Sequence, residues 1–207
     1  MKQIEQLLEE GTRRLGVDIS PEALRGLCLY IGELERWTKR INLTALRGQK
    51  EIATRLVLHS LVLAGFIRGR SLMDIGTGAG VPGLVLKIAL PELEVVLVES
   101  VEKKCHFLRH MVRTLGLKEV GVENRRAEDP ALVEKYRGSM DCVVARALSG
   151  FKEFSELARP FVRKGGLILN LRSPKEKEEL EEEGIECHLV GVPFSAEKTL
   201  VVVREVF

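Results

Sequence analysis

The sequence predicts an α/β protein in which a mostly parallel seven-stranded sheet follows an N-terminal helical extension. Residues 1–67 place apolar side chains at the three- and four-residue spacing of amphipathic helices. After Gly69, five short apolar runs alternate with amphipathic segments, a pattern typical of parallel βαβ units. The chain then closes with two apolar runs that no helix separates, so these should pair as antiparallel strands. We therefore expect a helical extension over residues 1–67 and a core over residues 68–207.

The helical extension contains two amphipathic segments and a third that follows a break. Ser20 precedes Pro21 and Glu22, a combination typical of a helix N-cap and first turn. Asn42-Leu43-Thr44 interrupts the helical spacing, which then resumes. The predicted helical segments are IEQLLEEGTRRL, PEALRGLCLYIGELERWTKRI and QKEIATRLVLHSLVLAGF.

The core alternates predicted strands and helices. The charged run KEKEELEEE (175–183) should form the solvated outer face of a helix. The predicted strands are SLMDIG, EVVLVES, EVGVEN, MDCVVARA, GGLILNLRS, CHLVGVPF and KTLVVVREV. The predicted helices between them are VPGLVLKIAL, EKKCHFLRHMVRTLGL, DPALVEKY and FKEFSELARPFVRK.

Composition narrows the class of protein. The chain has 207 residues, 45% of them apolar and 30% charged, which is ordinary for a globular protein. Its net charge of +2 neither requires nor excludes a nucleic-acid partner. The four cysteines are scattered without CxxC spacing, which indicates reduced, mostly buried thiols in a cytoplasmic protein. The longest apolar run, residues 56–67, is too short to span a bilayer, so we expect no membrane association.

The stretch MDIGTGAGVPG, residues 73–83, is a glycine-rich loop directly after the first predicted strand. Gly78 to Gly83 fits GxGxxG, but this motif alone is weak evidence for a dinucleotide. Asp74 occupies a strand position where dinucleotide folds usually carry an apolar residue, and the glycines at 76, 78 and 80 follow GxGxG spacing. Little chain also remains for a separate dehydrogenase substrate domain.

These features fit S-adenosylmethionine (SAM), which has an amino-acid end, a sulfonium and an adenosine but no pyrophosphate. Asp74 is suited to bind the methionine tail, directly or through water. Glu99, at the end of the next strand, is suited to accept hydrogen bonds from the ribose hydroxyls. After the third strand, Glu128 and the adjacent backbone are suited to the adenine edge. The alternative is that Asp74 only caps the loop, Glu99 is a surface acid and Asp129 begins a helix.

Motifs that the sequence lacks reduce the range of possible methyl acceptors. Methylation of exocyclic adenine or cytosine amines usually involves a DPPY-like or NPPY-like motif after the fourth strand, where this chain reads MDCVVARAL. Methylation of pyrimidine carbon 5 needs a cysteine nucleophile, and Cys142 is expected inside a strand. No metal-ligand cluster is evident in the sequence. Guanine N7 fits better because it offers a lone pair and has no proton to lose, so that positioning can supply up to roughly 7–11 kcal/mol.

An ordered set of motifs leads to a more specific interpretation. It begins with Asn42-Leu43-Thr44 after a tryptophan-containing helix and ends with Arg146-Ala147. Between them stand Asp74 to Gly83 with its trailing Pro-Gly, Glu99-Ser100, Lys103-Lys104, Phe107-Leu108, and Arg126 with Glu128. In this set the chain resembles the bacterial 16S ribosomal RNA guanine-N7 methyltransferases, also called glucose-inhibited division protein B. The glycine loop alone marks only the SAM-binding superfamily.

The resemblance implies a class I, Rossmann-like methyltransferase that acts on N7 of one guanine in the 530 loop of 16S rRNA. SAM would be the donor, S-adenosylhomocysteine the product, and naked 16S rRNA or the small ribosomal subunit the partner; we also expect a monomer. Arg126 and Arg146 would position the reactants without a general base, Arg146 orienting either the methionine tail or the guanine. The predicted SAM contacts are Asp74, Gly76, Thr77, Gly78, Gly80, Val81, Glu99, Ser100, Ala127, Glu128 and Arg146.

Basic residues cluster around the predicted cleft, on the helical extension and on the core, and such clustering can bind RNA even in a near-neutral chain. The cluster consists of Lys39, Arg40, Arg47, Lys50, Arg55, Lys103, Lys104, Arg109, Arg125 and Arg126. The predicted RNA contacts are Asn42, Arg47, Lys103, Lys104 and Arg126, and no metal site is predicted.

The chain departs from the family pattern in two places. The family usually has His-x-x-Asp-Ser-Leu before the glycine strand, whereas here Leu56 replaces the histidine and His59 the aspartate. The family's Ser-Arg-Ala is Ala145-Arg146-Ala147 here. We assign no catalytic role to His59. Two other functions stay open: a small-molecule or protein methyltransferase on the same scaffold, and a SAM-binding ribosome assembly factor.

Overall fold

The first two helices form over the two amphipathic segments that the sequence predicts. The computed structural model describes residues 2–146, 150–196 and 198–207. Helix α1 (Lys2–Leu15) is followed by α2 (Pro21–Thr38). The Ser20 hydroxyl accepts a hydrogen bond of 3.1 Å from the Ala23 N–H, which confirms the predicted N-cap of α2.

The third helical segment contains turns of three kinds. Helix α3 (Gln49–Ile52) leads into a π-helical stretch (Ala53–Leu58), then α4 (His59–Leu61) and a 3-10 turn (Val62–Phe66). After the π-helical stretch, the His59 N–H bonds to the Leu56 carbonyl, where a regular α-helix would use Arg55. The sequence predicts a helix here but not the change in winding. Such stretches are frequent at functional sites.

The sheet has the seven predicted strands in the spatial order β3-β2-β1-β4-β5-β7-β6. Strands β1 to β5 are parallel, and β7 pairs antiparallel with both β5 and β6. The strand order reverses between β1 and β4, and ligands of open α/β sheets bind at the carboxyl ends beside such a switch point. The strands are β1 (Ser71–Ile75), β2 (Glu94–Val98), β3 (Val120–Glu123), β4 (Met140–Arg146), β5 (Val162–Arg172), β6 (Glu186–Gly191) and β7 (Lys198–Glu205).

The helices of the core agree with the sequence pattern, with one correction. The predicted helix over residues 151–164 is too long, because α8 ends at Ala158 and β5 begins at Val162. Pro160 lies between them and cannot donate to a helical ladder. The charged run forms a 3-10 turn (Pro174–Glu176) and a short helix with only Leu180 buried, as predicted. The core helices are α5 (Gly83–Ala89), α6 (Glu102–Thr114), α7 (Pro130–Tyr136), α8 (Phe151–Ala158) and α9 (Lys177–Glu182).

The helical extension and the sheet share one hydrophobic cluster. Tyr30 of α2 and Phe107 of α6 are both fully buried in it, and the Trp37 ring meets Phe107 edge-on with centroids 5.6 Å apart. His110 Nε2 of α6 lies 2.8 Å from Glu33 Oε2 of α2. These contacts fix α2 beside the middle of α6; the division into two parts after residue 67 stays a prediction.

Two further properties concern the described residues as a whole. Cys105 and Cys142 are buried, whereas Cys28 and Cys187 are half-buried, so the thiols are less uniformly buried than predicted. Across residues 2–146, 150–196 and 198–207, none of the helices has the length and apolar character needed to cross a membrane.

Candidate active site

Asp74 supports the glycine-rich loop from within β1. Its Oδ2 accepts hydrogen bonds from the Thr77 hydroxyl at 2.6 Å and from the Gly83 N–H at 2.7 Å. Asp74 therefore does cap the loop, as the alternative interpretation holds. Its other oxygen, Oδ1, is buried and has no hydrogen-bond partner among the described residues. One acceptor thus remains for a ligand.

The surroundings of Asp74 favour the neutral form of its carboxyl group. Burial raises the pKa of this carboxyl to about 7, the bonds from Thr77 and Gly83 lower it by less, and the nearby Glu99 raises it. A cation placed against Oδ1 would favour the ionised form and satisfy the free acceptor. The unpaired carboxylate oxygen of Asp74 therefore fits the ammonium group of SAM.

The glycines of the loop meet different constraints. Gly78 has a φ of +58°, and a Cβ there would meet only the Gly76 carbonyl at 3.9 Å. A Cβ on Gly83 would lie 2.6 Å from Asp74 Cβ, so the backbone packs directly on β1 at that point. The loop is thus fixed against the sheet at Gly83 and has open space beside Gly78. This arrangement allows a ligand to approach the backbone closely.

Glu99 connects the ends of three strands. Its Oε2 accepts from the Gly78 N–H at 3.0 Å, and its Oε1 accepts from the Val101 N–H at 2.8 Å. The Asn124 amide, after β3, donates to the Glu99 and Ser100 carbonyls, each at 3.0 Å. Each carboxylate oxygen has a second acceptor position, so the Glu99 carboxylate can still accept ribose hydroxyls. The predicted contacts Val81, Ser100 and Ala127 follow β1, β2 and β3, respectively.

In the segment after β3, Asp129 has a structural role, whereas Arg126 and Glu128 are exposed to solvent. Asp129 is the N-cap of α7, accepting from the Ala131 N–H at 2.9 Å, and it pairs with Arg125 at 2.8 Å. This confirms the interpretation of Asp129 as a helix start. Glu128 and Arg126 are exposed, and within the part of the chain that the structure describes their side chains form no hydrogen bond or ion pair.

Arg146, at the end of β4, contacts the helical extension. Its Nη2 donates a hydrogen bond of 3.1 Å to the Arg55 carbonyl in the π-helical stretch. Burial lowers the pKa of Arg146, but a guanidinium remains charged in proteins. No carboxylate of the described residues lies within ion-pair distance of it. The guanidinium is therefore fixed by a backbone group; Ala147, the last residue of the predicted motif set, lies outside the described residues.

The structure adds Tyr30 and His59 to the surroundings of this site. The buried Tyr30 hydroxyl donates to the Ala79 carbonyl of the glycine loop at 2.9 Å. His59 is half-buried; desolvation, reinforced by Arg146 and Arg55, lowers its pKa to about 4 and keeps it neutral. Its Nδ1 is buried and unpartnered among the described residues. A buried tyrosine predicts a hydroxyl partner, but nothing in the sequence identifies Ala79 as that partner.

A basic cavity of about 500 Å³ lies between the end of α2 and the start of α6. It brings together three of the predicted RNA contacts, Asn42, Lys103 and Lys104, but neither Arg47 nor Arg126. The Arg47 guanidinium donates instead to carbonyls of its own loop, at 3.1 and 3.2 Å. The lining residues are Thr38, Lys39, Arg40, Ile41, Asn42, Val101, Lys103 and Lys104.

Comparisons with known proteins identify the family of this chain. Residues 23–204 match the family model described as rRNA small subunit methyltransferase G. A ribosomal RNA small subunit methyltransferase G from Desulfitobacterium hafniense is 38% identical over 179 residues, covering 86% of this chain and 75% of that protein. Another, from Pelotomaculum thermopropionicum, is 34% identical over 220 residues, covering 100% of this chain and 92% of that protein.

Solved structures show the same fold at lower identity. A methyltransferase from Geobacter sulfurreducens has a TM-score of 0.61 at 15% identity, covering 86% of this chain and 89% of its own. A SAM-dependent methyltransferase from Aquifex aeolicus has a TM-score of 0.57 at 20% identity, covering 78% of this chain and 95% of its own. With the observed strand order, these likenesses confirm the predicted class I, Rossmann-like fold.

Proposed function

The chain belongs to the rRNA small subunit methyltransferase G family, and we propose that it methylates N7 of one guanine in the 530 loop of 16S rRNA. Membership makes it a SAM-dependent methyltransferase of small-subunit rRNA. The choice of atom, the loop and a direct in-line transfer are the finer parts that we propose. The observation that best supports the choice of atom and the direct transfer is that Asp74 and Glu99 accept hydrogen bonds from the glycine loop and that the pKa of His59 is lowered to about 4.

SAM, when bound, supplies a methyl group on a positively charged sulfur. We assign its ammonium to Asp74 Oδ1, the buried acceptor that lacks a partner among the described residues. We assign the ribose hydroxyls to Glu99, and we assign the adenine edge to the Ala127 backbone and Glu128. The methionine half lies along the loop, beside Gly76, Thr77, Gly78, Gly80 and Val81, with Ser100 near the ribose.

An acceptor without a proton to lose suits these groups. Asp74 and Glu99 accept hydrogen bonds from the loop, and His59, with its pKa lowered to about 4, is a weak base. Burial raises the pKa of the Cys142 thiol, which donates to the Arg68 carbonyl at 3.2 Å, so a covalent route through Cys142 is disfavoured. Guanine N7 attacks with its own lone pair, and the protein only has to align it.

Two arginines have distinct parts in this alignment. Arg146 is fixed by the Arg55 carbonyl and offers its other donors to the methionine carboxylate or to guanine O6. Arg126 is exposed and reaches the O6 edge or a phosphate, which leaves N7 free to react. Neither guanidinium acts as a base.

RNA binding is assigned to Asn42, Lys103 and Lys104 in the basic cavity, together with Arg47 and Arg126 outside it. Phosphate contacts of this kind make affinity strongly dependent on salt. The 530 loop offers single-stranded bases whose edges are accessible. As part of the same proposal, the enzyme acts as a monomer in the cytoplasm, on naked 16S rRNA or on the small subunit.

The test is transfer of labelled methyl from SAM to small-subunit rRNA that lacks this modification. We expect the label in the RNA. Ribonuclease treatment should release it, and deoxyribonuclease treatment should not. Label that persists after ribonuclease treatment would indicate a protein or small-molecule acceptor. Saturable SAM binding without any transfer would indicate a binding factor. Either of these two results would contradict the proposal.

A further inference from the structure

Lys104 lies between the two halves of the proposed site. Its side chain lines the basic cavity, and its Nζ is 3.8 Å from Glu99 Oε2. Its neighbour Lys103 lines the same cavity without an ion pair to Glu99 among the described residues. One lysine therefore contacts the acid that we assign to the ribose, while the adjacent lysine contacts only the cavity.

The cavity has the chemistry of a phosphate site. Four of its lining side chains are cationic, and none of the described lining residues is acidic. Helix α6 begins at Glu102, directly after Val101 in the lining, and the Val101 side chain makes no cap bond, whereas Glu99 accepts the Val101 N–H. The positive end of the helix dipole thus adds to the field of the lysines. Thr38 also lines the cavity, and its hydroxyl oxygen is buried without a partner among the described residues.

Glu99 has a limited number of acceptor positions for these groups. Its Oε2 already accepts the Gly78 N–H at 3.0 Å, and its Oε1 accepts the Val101 N–H at 2.8 Å. One further position remains on each oxygen. The Lys104 ammonium is 3.8 Å from Oε2, an ion-pair distance rather than a hydrogen bond, and from there it can move in and compete with a ribose hydroxyl for the second position. Removing this ammonium from Glu99 would strengthen the bond to the ribose.

We propose that Lys104 couples RNA binding to SAM binding, because an RNA phosphate in the basic cavity draws its ammonium away from Glu99. Oε2 then accepts the ribose hydroxyl of SAM without competition from the ammonium. This inference rests on the proposed function, since it takes rRNA as the partner and Glu99 as the ribose acceptor. Coupling between two ligands is reciprocal, so bound SAM strengthens RNA binding by the same factor.

The test measures the affinity of S-adenosylhomocysteine by calorimetry, with and without a saturating 16S rRNA fragment that contains the 530 loop. The product is used because it keeps the ribose and cannot transfer a methyl group. The proteins are wild type, Lys104→Met, Lys103→Met and, as a distant exposed control, Lys118→Met. Unfolding midpoints verify that each variant is folded.

We expect RNA to tighten S-adenosylhomocysteine binding to wild type by roughly fivefold. Lys104→Met should bind it without RNA at least as tightly as wild type does, and RNA should no longer change that affinity. Lys103→Met should need more RNA for saturation but keep the coupling, and Lys118→Met should behave as wild type. Equal coupling in wild type and Lys104→Met would overturn the inference, as would loss of coupling in Lys103→Met.

Methyl transfer by the wild type separates the two levels of failure. If wild type methylates 16S rRNA but RNA leaves its affinity for S-adenosylhomocysteine unchanged, the coupling is wrong and the proposed function stands. If wild type transfers no methyl group to rRNA, the proposed function is wrong, and the coupling that depends on it is overturned too.

Discussion

The Tyr30 hydroxyl donates a hydrogen bond of 2.9 Å to the backbone carbonyl of Ala79. Through this contact, helix α2 supports the glycine loop at a point 49 residues further along the chain. Arg146 makes a second such connection, from the end of β4 to the Arg55 carbonyl. The helical extension thus helps to hold the glycine loop and Arg146 in place.

Replacing Tyr30 by phenylalanine tests the first connection. The buried Ala79 carbonyl would lose its donor, so Tyr30→Phe should lower the free energy of unfolding by about 1–3 kcal/mol and weaken S-adenosylhomocysteine binding. Urea unfolding and calorimetry measure the two effects. The chain's other tyrosine supplies the control, because the Tyr136 hydroxyl bonds to Glu123 instead. Tyr136→Phe should leave cofactor affinity unchanged; an equal loss in both variants would contradict this role of Tyr30.

The pH dependence of cofactor affinity tests the role of Asp74. Burial raises its pKa to about 7, so the ligand-free protein carries mostly the neutral acid below that pH. If the ammonium of S-adenosylhomocysteine requires the carboxylate, affinity should rise about tenfold between pH 6 and pH 8. Asp74→Asn, which cannot ionise, should bind more weakly and with a flat profile over this range. A tenfold rise that persists in Asp74→Asn would exclude Asp74 as its source.

His59 should make the fold sensitive to acid. Its pKa in the folded protein is about 4, below the ordinary value of 6.5. The unfolded chain therefore takes up a proton as pH falls below 6.5, while the folded protein does so only near pH 4, and stability is lost across this window. Relative to His59→Leu, wild type should lose about 2 kcal/mol of unfolding free energy between pH 7.5 and pH 5.

Denaturant unfolding at several pH values measures this difference. The titration of Asp74 is common to both proteins and cancels from the comparison. A constant difference between wild type and His59→Leu across the range would show that His59 titrates normally in the folded state.

Two glycine-to-alanine changes should shift stability in opposite directions. A Cβ on Gly83 would lie 2.6 Å from Asp74 Cβ, so Gly83→Ala should cost about 1–3 kcal/mol through overpacking. Gly32 lies inside α2 with nothing within 4 Å of its Cβ position, so Gly32→Ala should stabilise by about 0.5–1 kcal/mol. Thermal and urea unfolding of both variants measures this. Similar effects at the two positions would mean that packing on Asp74 does not fix the loop.

The sequence predicts most of the architecture because alternation and helical spacing are local signals. The seven strands and the Ser20 cap follow from neighbouring residues alone. The helix predicted over 151–164 is wrong because FVRK is amphipathic in either conformation, and pairing with β4 decides its state. The wide winding of residues 53–58 likewise has no local signature.

The site was less accessible to sequence analysis. Strand ends identify Asp74 and Glu99 because the topology places the carboxyl ends of parallel strands at one edge. Which oxygen of Asp74 stays free, and that Arg146 binds a backbone carbonyl, depend on contacts between residues far apart in the chain. The basic run 39–40 and the pair Lys103-Lys104 meet in one cavity only after folding.

The central claim is methyl transfer to guanine N7 in the 530 loop, and mapping the methylated position tests it most directly. Small-subunit rRNA lacking the modification would be incubated with the enzyme and labelled SAM, then cleaved with borohydride and aniline, which report 7-methylguanosine. We predict one cleavage, within the 530 loop. Label in the rRNA without that cleavage, or cleavage elsewhere, would contradict the proposed acceptor.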